Sequence, residues 1–110
     1  MLLSILDGNA VAQTVIVAGQ EAPVDRSGAI AGTSVAQSLL AANLTRSGYF
    51  LQNLGANPMY INELGSSAVA GQGSVKVVPG ATFPLPGMPL TTAALSIVGT
   101  AGDAFTAREW

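Results

Sequence analysis

The chain has six carboxylates whose chemistry could serve catalysis: Asp7, Glu21, Asp25, Glu63, Asp103 and Glu109. Hydrolysis by paired carboxylates needs two such groups facing a cleft at ~5–10 Å, and the spacing of these six predicts no such pair. Asp7 and Asp103 lie beside glycines in turn-like segments, where Asp favours the turn itself. Asp25 precedes Arg26, and we expect these two to form a solvated pair. The acidic residues therefore predict no enzyme.

Other residue types that support catalysis or binding are missing or lack the context they need. The chain has no His and no Cys, which excludes disulfides, thiol nucleophiles, His-based triads and the usual zinc sites. The glycines of 28–32 and 71–73 are not in a phosphate-binding context, and 7–9 is too short for a calcium loop. We expect no cofactor and no metal. A net charge of −2 without a basic patch also predicts no nucleic-acid partner.

The composition favours a β domain over a helical one. The 110 residues are enough for one domain with a modest core, and 49% of them are hydrophobic. Gly and Pro number 13 and 6, whereas the charged residues on which helical bundles rely are scarce. The sequence therefore predicts an all-β domain.

The low charge also bears on partners. Only 9% of residues are charged, against about 25% in an ordinary globular domain. A soluble monomer usually carries many surface charges of both signs. The surface is therefore either neutral and polar, or partly covered by other subunits, and we favour the second interpretation.

Short runs of β-branched and apolar residues, separated by Gly, Pro and Asn, predict most of the strands. Residues 35–43 also fit a short helix, but their spacing from the next run favours a strand. The pattern is typical of a single small β-sandwich or jelly-roll-like domain. The predicted strands are 11–18, 35–43, 48–54, 58–62, 74–78, 81–85 at an edge, 93–98 and 104–110.

The first third of the chain is interpreted as an extended arm. Residues 19–34 form a long connection of a kind that is uncommon inside compact domains, so residues 1–33 are predicted to gain order from a neighbour and 34–110 to form the β-sandwich. Residues 1–6 are apolar, but they lack the basic residues of a signal peptide. No run reaches the ~20 apolar residues that span a membrane, so no membrane partner is expected.

Residues 46–65, RSGYFLQNLGANPMYINELG, predict a hairpin in which 48–54 pairs with 58–62 around a turn at 54–58. In the first strand Tyr49, Leu51 and Asn53 share one face. In the second strand Met59 and Ile61 share one face. The apolar faces are expected to build the core of the sandwich, leaving Tyr and amide side chains for neutral hydrogen bonds to a neighbouring subunit.

Several runs of the sequence together resemble a pattern found in small virion structural proteins of tailed bacteriophages. The resemblance covers about residues 35–110 and extends weakly to 7–9 and 13–17. Because its motifs are structural, no functional residue is carried over. It implies a compact β domain that sits on the phage particle. The runs are 46–55 (RSGYFLQNLG), 57–62 (NPMYIN) with Gly65, 74–80 (SVKVVPG), 94–99 (ALSIVG) and 107–110 (AREW).

The resemblance implies a non-enzymatic protein located in the virion and assembled in the host cytoplasm. A capsid decoration or cement protein is expected first, as a homotrimer or other closed oligomer bound to the major capsid protein. The alternatives are a tail, fibre or head-to-tail connector component, and a carbohydrate-binding β-sandwich module that uses aromatic residues near Tyr60. The candidate interface residues are Val15, Ile16, Val17, Tyr60, Met88 and Trp110.

Overall fold

The computed structural model describes residues 22–110, and this part of the chain is all-β. Its strands form two antiparallel sheets, which confirms the prediction of a small sandwich-type β domain. The strands are β1 (Val24–Asp25), β2 (Gly28–Ala29), β3 (Gln37–Leu40), β4 (Tyr49–Asn53), β5 (Met59–Asn62), β6 (Val75–Val77), β7 (Thr82–Phe83), β8 (Leu95–Val98) and β9 (Ala104–Glu109).

The first sheet has the order β1-β9-β4-β7, with β2 also paired to β9, and the second sheet has the order β3-β8-β5-β6. The ambiguous run 35–43 is a strand, as predicted, and forms β3. The edge-like run 81–85 supplies β7, which is an edge of the first sheet. The prediction of a strand at 11–18 lies outside the described residues.

The core forms because alternate side chains of each strand turn to one face. Tyr49, Leu51 and Asn53 of β4 share one face, as predicted, and this face is buried. The expectation that the Tyr and amide side chains of this segment meet a neighbouring subunit is therefore wrong for Tyr49 and Asn53, which lie inside the domain. Met59 and Ile61 of β5 are buried in the same core. Each fully buried aliphatic or aromatic side chain contributes roughly 1.5–3 kcal/mol relative to its exposed state.

The predicted hairpin between β4 and β5 is wrong. β4 pairs with β9 and β7 in the first sheet, whereas β5 pairs with β8 and β6 in the second. Residues 54–58 therefore cross from one sheet to the other, and side-chain hydrogen bonds hold this crossing. Asn53 Nδ2 donates to the carbonyl of Asn57, and the backbone N–H of Asn57 donates to Asp103.

Part of the predicted arm lies along the last strand of the same chain. Val24–Asp25 and Gly28–Ala29 both pair with β9, and Ile30 is only 2% exposed within the core. Residues 24–30 thus belong to the two-sheet unit. The arm itself stays a prediction, because residues 1–21 lie outside the described part of the chain.

The strand directions divide the connections between two ends of the sandwich. We call one of them the loop end. It contains Trp110 and the three longest connections between the strands β3–β9, which are 41–48, 63–74 and 84–94. The opposite end contains the shorter connections 30–36, 54–58, 78–81 and 99–103.

Candidate functional site

A buried ion pair fixes the base of the loop end. Arg46 and Glu109 are 3% and 5% exposed, and Arg46 Nε donates to Glu109 Oε1 at 2.9 Å. Arg26 Nε donates to the other carboxylate oxygen, Oε2, also at 2.9 Å. Both oxygens of the one carboxylate therefore accept hydrogen bonds from arginines.

The rest of the Arg46 guanidinium joins two backbone segments through three carbonyls. Its Nη1 donates to the carbonyls of Thr91 and Ala93, each at 3.0 Å, and its Nη2 donates to the carbonyl of Ala41 at 2.6 Å. Ala41 follows β3 and Ala93 precedes β8, whereas Glu109 ends β9 in the other sheet. One arginine thus joins the two sheets at the loop end.

The surroundings of Glu109 favour its charged form. Burial raises the pKa of this carboxyl, but the hydrogen bonds from Arg46 and Arg26 outweigh burial and hold the pKa below its usual range. Because both carboxylate oxygens are engaged by arginines, this group is suited to a structural role and has little capacity left for proton transfer.

The predicted solvated pair of Asp25 with Arg26 is wrong. Asp25 lies directly opposite Arg108 in the β1–β9 register, and the Arg108 Nη1–Asp25 Oδ1 distance is 2.8 Å. Arg26 instead reaches Glu109. Neighbours on an extended strand point to opposite faces, so adjacent charges of opposite sign separate and find partners across the sheet. Hydrogen bonds from the Ser27 hydroxyl and backbone N–H lower the pKa of Asp25.

The three loops of the loop end expose large apolar side chains. These are Leu44 (89% exposed), Leu64 (74%), Leu85 (51%), Val69 (50%) and Leu90 (48%). The loops also contact one another: Asn43 N–H donates to the carbonyl of Thr92 at 2.9 Å, and a side chain at Gly65 would reach Ala93. The apolar residues are therefore carried on adjoining loops.

Charge is almost missing from these loops. Residues 41–48, 63–74 and 84–94 contain two charged residues, Arg46 and Glu63, and Arg46 is buried. Glu63 is half-buried. A surface with exposed leucines and so few charges has the composition of a protein–protein contact.

Two of the predicted interface residues lie at the loop end. Met88 is half-buried in the loop 84–94, where it packs against the core and its sulfur accepts a hydrogen bond from the Leu85 N–H. Trp110 is half-buried against Gly48, where a Cβ would overlap its indole ring. The aromatic and thioether groups thus border the exposed leucines.

The other predicted interface residues are located elsewhere. Tyr60 is half-buried in the middle of β5, on the face opposite Met59 and Ile61, and so it is not one of the loop-end residues. Val15, Ile16 and Val17 lie outside the described residues. The grouping of all six residues in one interface therefore stays a prediction.

The Tyr49 hydroxyl is a buried polar atom of the described chain that has no hydrogen-bond partner. Its ring packs at 6.2 Å from that of Phe83, and the Arg46 guanidinium lies 5.7 Å from the Tyr49 ring centroid. Burial, with the negative charge of Glu63, raises the pKa of Tyr49 against the opposing effect of Arg46. The hydroxyl thus stays neutral, and the ring serves chiefly as packing beneath the loop end.

A shallow cleft of about 260 Å³ lies between the loop 63–74 and the paired strands β3 and β8. Its lining includes Ser38 of β3, Ser66 and Ser67 of the loop 63–74, and Ser96 of β8. Ser96 is already engaged, because its hydroxyl accepts from the Ala68 N–H and donates to the Gln37 carbonyl. The cleft offers hydroxyls and backbone groups but no charged side chain.

Sequence reasoning missed the exposed leucines, although a signal for them exists. Leu44, Leu64, Leu85 and Leu90 each stand as single apolar residues among Asn, Gly, Pro and Thr. A lone leucine within a turn-rich segment has no strand face on which to be buried. Such residues mark candidate contact positions before the fold is known.

The chain matches no family model, no curated protein and no solved structure. Within residues 22–110, no group of three or more acidic, His or Cys residues is placed to hold a metal ion. No helix in that range is long and apolar enough to cross a membrane. The function is therefore inferred from the chain itself.

Proposed function

We propose that this protein is a non-enzymatic structural component of a tailed-phage virion, and specifically a decoration or cement protein that stabilises the head through subunit contacts. The virion part of the proposal rests on the sequence resemblance of residues 35–110. The proposed partners are further copies of the chain, in a trimer or other closed oligomer, and the major capsid protein.

The observation that carries the assembly role is the exposed apolar loop end. Single exposed leucines are ordinary on protein surfaces, but apolar groups on adjoining loops mark an interaction surface. Leu44 and Leu64 are the most exposed of them. The Arg46–Glu109 pair holds the loops 41–48 and 84–94 through the carbonyls of Ala41 and Ala93, so this part of the surface is preorganised and its association loses less conformational entropy.

The direct test is to look for the chain in purified particles of the phage that encodes it. Mass spectrometry of those particles should detect its peptides, at a copy number comparable to that of the major capsid protein. A few copies per particle would instead indicate the tail, fibre or connector alternative. Absence from the particles would contradict a virion role altogether.

A second experiment tests the stabilising role. Particles assembled without this protein should release their genome at a lower temperature than complete particles, because the contacts that decoration adds bind the assembled shell and not its separated subunits. Adding the purified protein back should restore the higher temperature. Equal genome-release temperatures for both kinds of particle would contradict the cement function.

A further inference from the structure

We infer that the loop end is the docking surface for residues 1–18 of this chain. The inference deepens the proposed assembly role, and it rests on that role where the docked segment belongs to a neighbouring copy. In this arrangement the exposed leucines at positions 44, 64, 85 and 90 bind the predicted arm.

The segment and the surface have matching chemistry. Residues 1–18, MLLSILDGNAVAQTVIVA, contain two apolar runs, 1–6 and 11–18, and one charged residue, Asp7. The three loops of the loop end expose five large apolar side chains and carry one half-buried carboxylate, Glu63, with the partly exposed Arg26 bound to Glu109 at their base. Contact between two such surfaces removes apolar area from water on both sides and leaves few charges to desolvate.

The segment also starts at the correct end of the sandwich. Val24 lies opposite Glu109 in the β1–β9 register, so Ala22 lies beyond Glu109, on the side of Trp110. Four residues of chain span at most ~14 Å. Covalent connectivity therefore keeps residue 18 within that distance of Ala22, on the side of the loop end.

Three of the sheet edges are less suitable receptors for this segment. In the second sheet, β6 has Lys76 exposed at its centre, and a lysine on an edge strand discourages further pairing. The other edge, β3, has a register irregularity between Ser38 and Leu40. In the first sheet, the edge strand β7 has two residues and is followed by Pro84, which has no N–H to donate.

Cross-linking in the full-length chain tests the inference, and the absence of native cysteines provides a clean background. One variant combines Ile16→Cys with Leu90→Cys at the loop end. The matched control carries the same two cysteines together with Leu44→Ser and Leu64→Ser, because it keeps the tether of residue 16 to the loop end and removes the two most exposed apolar side chains, at 89% and 74% exposure. Both are treated with a short bis-maleimide after circular dichroism has confirmed their folding.

The expected result is a cross-linking yield several times higher for the first variant than for the control. Equal yields, or no cross-link in either folded variant, would overturn the docking site. A separate experiment determines whether the docked segment belongs to the same chain or to a neighbouring copy. It mixes chains that carry only Ile16→Cys with chains that carry only Leu90→Cys.

The mixing experiment separates the inference from the proposed function. Cross-linked pairs of different chains would support docking between copies. Cross-links confined to single chains, with a monomeric mass by light scattering, would retain the docking site but contradict the oligomeric particle component. An oligomer in which the first variant and the control give equal cross-linking yields would contradict the docking site and leave the proposed assembly intact.

Discussion

Glu109 is the single side chain on which the local order of the loop end most depends. It neutralises Arg46, whose side chain has no exposed surface, and it does so from the last residue of β9. Arg46 in turn donates hydrogen bonds to the carbonyls of Ala93 and Ala41, which lie in two of the apolar loops. Removing one partner of a buried pair leaves the other charge without compensation in a poorly solvated place.

The first prediction concerns that pair. Glu109→Gln should lower the free energy of unfolding by about 3 kcal/mol, because a buried pair that loses one partner typically costs ~3–5 kcal/mol and the amide retains some hydrogen bonding. The measurement is urea denaturation at neutral pH. Asp25→Asn is the control, because Asp25 is exposed and paired at the surface, and its curve should almost superimpose on that of the wild type.

The second prediction is a pH dependence of stability. The pKa of Glu109 is lowered in the folded state, so its contribution is present above the unfolded pKa, about 4.3, and is lost as the pH falls through the folded value. The urea midpoint should therefore drop on acidification from neutral pH, and Glu109→Gln should show a smaller drop. An identical drop in both proteins would exclude Glu109 as a source of the pH dependence.

At the scale of elements, the crossing at 54–58 decides the topology. Asn53 has no exposed surface, and its Nδ2 donates to the carbonyls of Asn57 and Val77, each at 2.9 Å. Its Oδ1 accepts from the Gly55 N–H at 2.8 Å. One amide thus joins the end of β4 to the crossing and to β6 in the other sheet.

The third prediction follows from that amide. Asn53→Asp retains the acceptor but replaces the donor by a carboxylate oxygen that faces two carbonyls, so one buried and one partly buried acceptor lose their partner. Each unsatisfied buried group costs ~1–3 kcal/mol, and the unfolding free energy should fall by at least ~2 kcal/mol. Gln72→Glu, an amide-to-acid change at an exposed position, should change it far less in the same denaturation assay.

The fourth prediction concerns the contact between Gly48 and Trp110, the residue that follows β9. A Cβ at Gly48 would overlap the indole of Trp110, so Gly48→Ala should displace the ring and lower stability by ~1–3 kcal/mol. Trp110 is the one tryptophan in the chain, and its emission should shift to the red. Gly71→Ala in the same group of loops, where a Cβ meets nothing within 4 Å, should leave the emission unchanged.

The strands could be predicted from the sequence to a large extent, because alternation is a local property. The buried faces of β4 and β9 follow directly from period-two burial. The partner of each strand could not be predicted in this way. The connection at 54–58 has the composition of a hairpin turn, and only the contacts of Asn53 and Asp103 make it a crossing between sheets.

The candidate site was less accessible to sequence reasoning. Met88 and Trp110 were identified from residue type and position, and they lie beside the apolar loops. The Arg46–Glu109 pair joins residues that are 63 positions apart, and no local pattern connects them. The exposure of the leucines is not predicted from the sequence, because apolar residues are ordinarily assigned to the core.

At the scale of the whole molecule, charge and apolar exposure are unevenly distributed. Asp25, Arg108 and Arg26 lie along β9 and its partners, whereas the loop end combines exposed leucines with the half-buried Glu63. At the opposite end, Leu54 and Val78 are exposed, and Leu54 precedes Gly55, which lies against Asp103. The two ends therefore differ, and we expect association through the loop end.

The fifth prediction tests that central claim most directly, by light scattering on the full-length chain. The wild type should have the mass of a closed oligomer. The variant Leu44→Ser with Leu90→Ser should dissociate, while Leu54→Ser with Val78→Ser, matched in chemistry at the opposite end, should keep the wild-type mass. A monomeric wild type, or equal masses for the two folded variants, would contradict assembly through the loop end.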